Sequence, residues 1–107
     1  MPPLTTAVVH MLISLGGGER HGYGILKDVQ RQSEGRVKLG PGTIYGTLQR
    51  LMEAGWVEEA RGPAHTDARR RYYRLTRGGR EALDAEVERL DALVRAAKGR
   101  PLRTSKA

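Results

Sequence analysis

The spacing of apolar residues changes twice along this chain, and those changes limit the folds open to it. In PGTIYGTLQRLMEAG, residues 41–55, Ile44, Leu48, Leu51 and Gly55 recur at steps of four, three and four. That is the period of a helix with one buried face. Pro41 suits a first helical position and Gly55 a stop, so the spacing predicts a helix over 41–54. Upstream, Leu4, Val8, Met11, Leu12 and Leu15 predict an amphipathic helix that ends at GGGE. A second helix is expected from His21 to about Ser33, with Tyr23, Leu26 and Ile25 or Val29 turned to the core. SEGRVKLG connects it to the third, with extended character at Val37 and Leu39.

From Trp56 the pattern turns to short runs of strand formers. WVEEA (56–60) and RRYYRLT (70–76) are the two runs, and in the second Tyr73 and Leu75 alternate with Tyr72 and Arg74. RGPAHTDARR between them is turn chemistry. Thr76 is placed to cap a last helix over 77–98. The order is helix, helix, helix, strand, basic loop, strand, long helix. The expected fold is mainly α with a small β-hairpin: a winged helix-turn-helix with a long C-terminal dimerisation helix. Residues 1–76 are expected to form the DNA-binding domain, 77–98 the dimerisation helix, and 99–107 a basic disordered tail.

Charge points the same way. The 107 residues carry 19 basic and 12 acidic side chains, a net charge of +7. Its sign suits a polyanion. Between positions 61 and 80 there are seven arginines and one acid, Asp67. Scattered charge merely solubilises a surface, but arginines in a loop flanked by Gly and Pro point to phosphate contact. Arg61, Arg69, Arg70 and Arg71 are the expected wing contacts. Alternation along a strand prevents the last three from all pointing one way.

The third helix carries an anomaly. Gly46 sits mid-helix, where glycine costs about 1 kcal/mol relative to alanine. On a helical wheel Gly42, Gly46, Gln49, Arg50 and Glu53 lie opposite the apolar stripe, with Thr43 and Tyr45 beside them. The outer face is therefore small at its start and then offers Gln and Arg. Such a helix can enter a major groove closely, where Gln pairs with adenine and Arg with guanine. Gly42, Thr43, Tyr45, Gly46, Gln49 and Arg50 are the expected recognition residues. The competing explanation for Gly46 is close packing of another protein helix.

In the last helix Leu83, Val87, Leu90, Val94 and Ala97 fall at steps of four, three, four and three, a heptad seam. Twenty-two helical residues span about 33 Å, longer than so small a body needs. A two-fold dimer through this helix, helped by the first, is expected. Its two recognition helices would read half-sites about 34–36 Å apart.

Catalysis finds little support. The chain has no cysteine, and His10, His21 and His65 fall on different elements. No HExxH spacing occurs, and GGGERHGYG lacks the Gly-Lys-Ser/Thr of a phosphate loop. No catalytic residue, metal or cofactor is expected. His21-Gly22-Tyr23 is read as the structural start of the second helix, Gly22 allowing close packing and Tyr23 partly in the core. His21 or Tyr23 can also reach a phosphate. The apolar start is too short to span a bilayer, which takes about 20 residues, and it lacks the basic region of a signal peptide. A cytoplasmic protein with no membrane partner is expected, consistent with its lack of cysteine.

RHGYGILKDVQ, LGPGTIYGTLQRLMEAGWVEE and RRRYYRLTRGGREAL together resemble the PadR family of transcriptional regulators, in family order over roughly residues 4–90. The resemblance implies a homodimeric winged-helix protein, usually a repressor, reading a pseudo-palindromic operator. The third helix would lie in the major groove, the 61–71 wing on the backbone or minor groove, and the C-terminal helix in the dimer. Family members often have Ser before Pro-Gly-Thr, and Gly40 stands there in this chain. Some relatives bind flat aromatic compounds between their C-terminal helices. This chain has no aromatic residue over 77–98, so a small-molecule inducer is not supported. The alternative is a winged helix that binds protein or RNA without operator specificity. Single-strand RNA readers usually display aromatics for stacking; Tyr45, Tyr72 and Tyr73 are the candidates here, Tyr73 and Tyr72 being more easily placed in the hairpin core.

Overall fold

The computed structural model describes residues 4–63 and 70–100. The elements run α1 (Thr6–Gly16), β1 (Arg20–His21), α2 (Gly22–Gln32), α3 (Pro41–Glu53), β2 (Val57–Ala60), β3 (Tyr72–Leu75) and α4 (Arg77–Lys98). Side chains cap three of the four helices. Thr5 Oγ1 accepts from Val8 N–H at 3.2 Å, His21 Nδ1 from Gly24 N–H at 2.9 Å, and Thr76 Oγ1 from Gly79 N–H at 3.0 Å. Only α3 starts without one: Gly40 offers no side-chain oxygen, and Pro41 supplies the preset backbone angle instead. At the other end of α3, Gly55 takes φ +78°. Trp56 N–H then reaches Leu51 O and Gly55 N–H reaches Met52 O, both at 3.0 Å. This is the Schellman closure that the Gly55 stop anticipates.

The stripes read from the sequence meet in one core. Met11, Leu12, Ile25, Val29, Ile44, Leu48 and Leu51 are fully buried, with Leu15, Trp56, Val57, Tyr73 and Leu83 around them. Two expected core residues lie elsewhere. Tyr23 is 60% exposed, because Ile25 and Val29 already supply the inward face of α2. Leu4 precedes the Thr5 cap and stays at the surface.

The sheet has three strands, in the order β1-β3-β2, rather than a bare hairpin. Arg20 and His21 pair with Tyr73 and Tyr72. This changes the burial of the second strand. Tyr73 faces the core, and Tyr72, which simple alternation leaves outside, is also buried. The His21 ring meets it edge-on at 5.3 Å, and Gly62, at φ +73°, passes so close that a Cβ there would stand 2.5 Å from the Tyr72 ring.

The long last helix is anchored at its start and free at its end. Gly79, Leu83 and Glu86 are buried against the body, while every residue from Asp91 to Arg100 is exposed. Leu83, expected in a dimer seam, belongs to the core of its own subunit. Of the expected tail, residues 101–107 lie outside the described residues.

Candidate nucleic-acid interface

The outer face of α3 is built as its wheel suggests. Gly42, Thr43, Tyr45, Gly46, Gln49 and Arg50 are all exposed, and Ile44, Thr47, Leu48 and Leu51 hold the opposite face in the body. No atom of the described chain lies within 4 Å of where a Cβ on Gly42 or Gly46 would stand. Gly46 therefore does not serve packing inside this subunit. Gln49 donates to Glu53 Oε1 at 3.3 Å, and Arg50 to the Thr47 hydroxyl at 3.3 Å. Both are single, long contacts, the first at the surface and the second partly buried, that a better acceptor can replace.

Gly22 explains how α2 and α3 meet. A Cβ there would stand 2.6 Å from the Tyr45 hydroxyl and 2.7 Å from its ring carbon Cζ. The glycine lets the Tyr45 ring lie across the start of α2, so Tyr45 is held on the exposed side rather than free to swing. The close packing expected at Gly22 thus has a named partner.

Of the wing residues, Arg61, Arg70 and Arg71 are exposed, and Arg69 lies outside the described residues. Arg71 stands 3.7 Å from Glu59 on β2. Arg74 is held by Glu58 at 2.7 Å, its partner in register, and by Glu19 at 3.7 Å. Arg77 pairs with Glu81 at 3.4 Å, and Arg80 donates to the Gly16 carbonyl at 3.0 Å, tying α4 to the end of α1. Counting arginines along the sequence thus overstates the wing. Of the seven arginines, Arg74 and Arg80 are held by other parts of the body and Arg77 by its own helix, and the acids that hold Arg74 come from another strand and a loop.

His21, Tyr23, Tyr45, Arg70, Arg71 and Tyr73 line one hollow of about 510 Å³. It joins the start of α2, the middle of α3 and the root of the wing. Burial, and then the Arg70 charge, lower the His21 pKa below its ordinary value, so the ring is neutral at pH 7. Burial raises the Tyr73 hydroxyl, with the nearby Tyr45 and Glu59 adding to it, so it stays protonated. The hollow is therefore cationic through its arginines and lined by aromatic faces.

A second surface lies between α1 and α4. Leu4, Thr6, Val9, His10, Ile13, Glu86, Arg89 and Leu90 line an apolar groove there. Ile13 on α1 and Val87, Leu93 and Val94 on α4 expose 43%, 47%, 61% and 48% of their surface. Within the seam, Leu90 is half-buried against α1, and Val87, Val94 and Ala97 are open. Glu86 was not singled out from the sequence. It is buried at 5% exposure and gripped by Arg89 through two bonds, 2.8 and 2.7 Å. The only sequence signal was the spacing of three between them.

Among the described residues no group of three or more His, Cys, Asp or Glu could hold a metal, and no helix is long and apolar enough to cross a membrane.

Three helices packed on a small antiparallel sheet, with a basic connection between its two longer strands, define a winged helix-turn-helix protein. The chain belongs to the PadR-like family of transcriptional regulators, whose family model matches residues 11–85. It is 34% identical over 91 residues to the transcriptional regulator Rv3488 of Mycobacterium tuberculosis, covering 85% of this chain and 81% of that protein. It is 36% identical over 83 residues to a 37.1 kDa protein of the transposon TN4556 of Streptomyces fradiae. That match covers 78% of this chain and only 22% of the larger protein. Among solved structures, the fold is similar to Bacillus subtilis PadR in complex with operator DNA, with TM-score 0.65 and 21% identity. The likeness covers 100% of this chain and 55% of that one.

Proposed function

We propose that the chain is a cytoplasmic, homodimeric repressor that binds double-stranded DNA in a sequence-specific way. In this proposal α3 enters the major groove of each half-site of a pseudo-palindromic operator. Gly42 and Gly46 permit close approach, Gln49 and Arg50 read base edges, and Thr43 and Tyr45 flank them. The wing, with Arg61, Arg69, Arg70 and Arg71, lies on the backbone or in the minor groove. Val87, Leu90, Val94 and Ala97 of α4, with the exposed face of α1, join the two subunits. The family supports the regulatory role, and the operator complex of Bacillus subtilis PadR is the precedent for DNA.

The observation that carries this proposal is the shared face: Tyr45 of α3 and the exposed wing arginines Arg70 and Arg71 line one cationic hollow, and Gly42 and Gly46 keep the outer face of the same helix small. A protein-binding module needs neither feature. Among the tyrosines offered for stacking single-stranded RNA, Tyr72 and Tyr73 are buried.

The test separates readers from backbone contacts. Arg61→Ala and Arg71→Ala should weaken every duplex by a similar factor and lower the salt slope by about 1 each. Arg50→Ala and Gln49→Ala should relax discrimination at single base pairs. If both classes behave alike across a panel of duplexes, this assignment of roles is wrong.

A further inference from the structure

His21 does more than begin a helix. Its Nδ1 accepts from the Gly24 backbone N–H at 2.9 Å. A backbone N–H can only donate, so Nδ1 carries the lone pair and the proton of the neutral ring sits on Nε2. Nε2 lies 3.1 Å from Nη1 of Arg70. A guanidinium has five N–H groups and no acceptor. The two side chains therefore meet donor to donor. This is not a hydrogen bond but a pair of hydrogens converging on space that a shared acceptor would fill.

Turning the ring to remove the conflict would give up the helix cap. The helix cap holds one edge, Tyr23 stacks on it at 6.4 Å and 9°, and Tyr72 meets it at 5.3 Å and 88°. Nε2 consequently points into the hollow, where Arg71, itself 3.7 Å from Glu59, adds a second guanidinium, and among the described residues no carboxylate appears in the lining.

We infer that His21 Nε2–H and Arg70 form a socket for one non-bridging oxygen of a DNA phosphodiester, clamped between the start of α2 and the root of the wing. The inference rests on the DNA-binding function proposed for the chain and gives its backbone contact a fixed position. A phosphodiester oxygen is acceptor-only and anionic, which both donors need. The socket shares its hollow with Tyr45 of α3, so a strand edging a groove filled by α3 passes its mouth. Free inorganic phosphate offers the same oxygen chemistry and is the other source to be told apart.

The test uses the full chain. His21→Asn keeps a good N-cap acceptor but removes the Nε2 donor, and Arg70→Gln removes the charge. Histidine side-chain 15N spectra should show the Nε2–H tautomer of His21, shifted by duplex DNA and far less by inorganic phosphate at matched ionic strength. Each variant should weaken duplex binding about five- to tenfold. The double variant should lose less than the product, since both donors serve one oxygen. Arg70→Gln should lower the salt slope by about 1, whereas His21→Asn, which removes a neutral donor, should leave it unchanged. An Nδ1–H tautomer, losses that multiply, or wild-type affinity in His21→Asn overturns the socket. Phosphate shifts as large as those with DNA, beside wild-type duplex binding in His21→Asn, assign the site to the free ion and overturn the DNA assignment. A wild type that binds no duplex at all overturns the proposed function as well, and so is told apart from failure of the socket alone.

Discussion

Gly78 and Gly79 open α4 side by side, and the same substitution at each should have opposite effects. In a helix, alanine is favoured over glycine by about 0.5–1 kcal/mol. At Gly78 a Cβ would meet the Gly55 carbonyl oxygen at 3.4 Å, a contact that small adjustments absorb. At Gly79 it would fall inside the van der Waals shell of the Trp56 carbonyl oxygen and 2.9 Å from the Trp56 carbonyl carbon. Those are backbone atoms, and the same oxygen accepts from Thr76 N–H at 3.0 Å. Relief requires moving the first turn of α4 off the Trp56 peptide, loosening that bond and the packing of Leu83. Overpacking typically costs about 1–3 kcal/mol and a lost backbone bond about 1 more. After the gain in helix propensity, Gly79→Ala should destabilise by about 2–3 kcal/mol, a fall in Tm of roughly 10–20 °C for a domain of this size. Gly78→Ala should match the wild type or exceed it slightly. Thermal and urea unfolding at one fixed protein concentration check both. A Gly79→Ala variant as stable as Gly78→Ala would refute the claim that α4 is locked to the Trp56 peptide by backbone contact.

Gly46→Leu meets open space, so it should fold with equal or slightly greater stability while losing most DNA affinity by anisotropy; a folded variant with wild-type affinity removes the close-approach role of Gly46. Val94→Glu lies on an exposed stretch of α4, so the fold should persist while light scattering falls from twice the 11.8 kDa subunit mass to one. A wild type that is monomeric at micromolar concentration sinks the dimer. Stability should fall in two stages on acidification. Burial and Arg70 lower the folded pKa of His21 below its ordinary 6.5, so the unfolded chain binds more protons and stability drops as pH falls through that range. The Arg89 bonds hold the Glu86 carboxyl below its ordinary 4.5 against the opposing effect of burial. At Asp28 burial pushes upward, but the guanidiniums of Arg31 at 2.6 Å and Arg20 at 3.7 Å outweigh it and hold the carboxyl below its ordinary 3.8. Both carboxylates stabilise the fold above their ordinary range and lose that contribution as pH falls through their lowered values. A Tm that is flat from pH 7.5 to 5.5 in the wild type contradicts the first stage, which His21→Asn should abolish.

Local rules made most of the helices legible. Pro41, Gly55 and Thr76 mark boundaries because each acts on the backbone beside it, and the core stripes follow from period alone. What stayed hidden depends on distant partners. β1 is two residues, Arg20 and His21, with no strand composition; only Tyr72 and Tyr73, far along the chain, make it a strand. That third strand is also why Tyr72 breaks alternation. A tyrosine beside apolar helix positions fits a core pattern, but Ile25 and Val29 fill the inward face of α2 and leave Tyr23 outside. The small, exposed outer face of α3 was readable because absence of bulk at Gly42 and Gly46 is itself visible in sequence. The pairing of Arg74 with Glu58 and Glu19, and the donor-to-donor meeting of His21 with Arg70, needed three-dimensional register.

The central claim is that α3 reads DNA sequence through Arg50. Fluorescence anisotropy of the wild type and Arg50→Ala, with the duplex upstream of this chain's own gene and a scrambled duplex of equal length, measured across a salt series, tests it most directly. The account predicts tighter binding to the native duplex, a steep salt dependence for both duplexes, and loss of the preference in Arg50→Ala. Preference retained in full by Arg50→Ala, or no binding to either duplex at low salt, contradicts it.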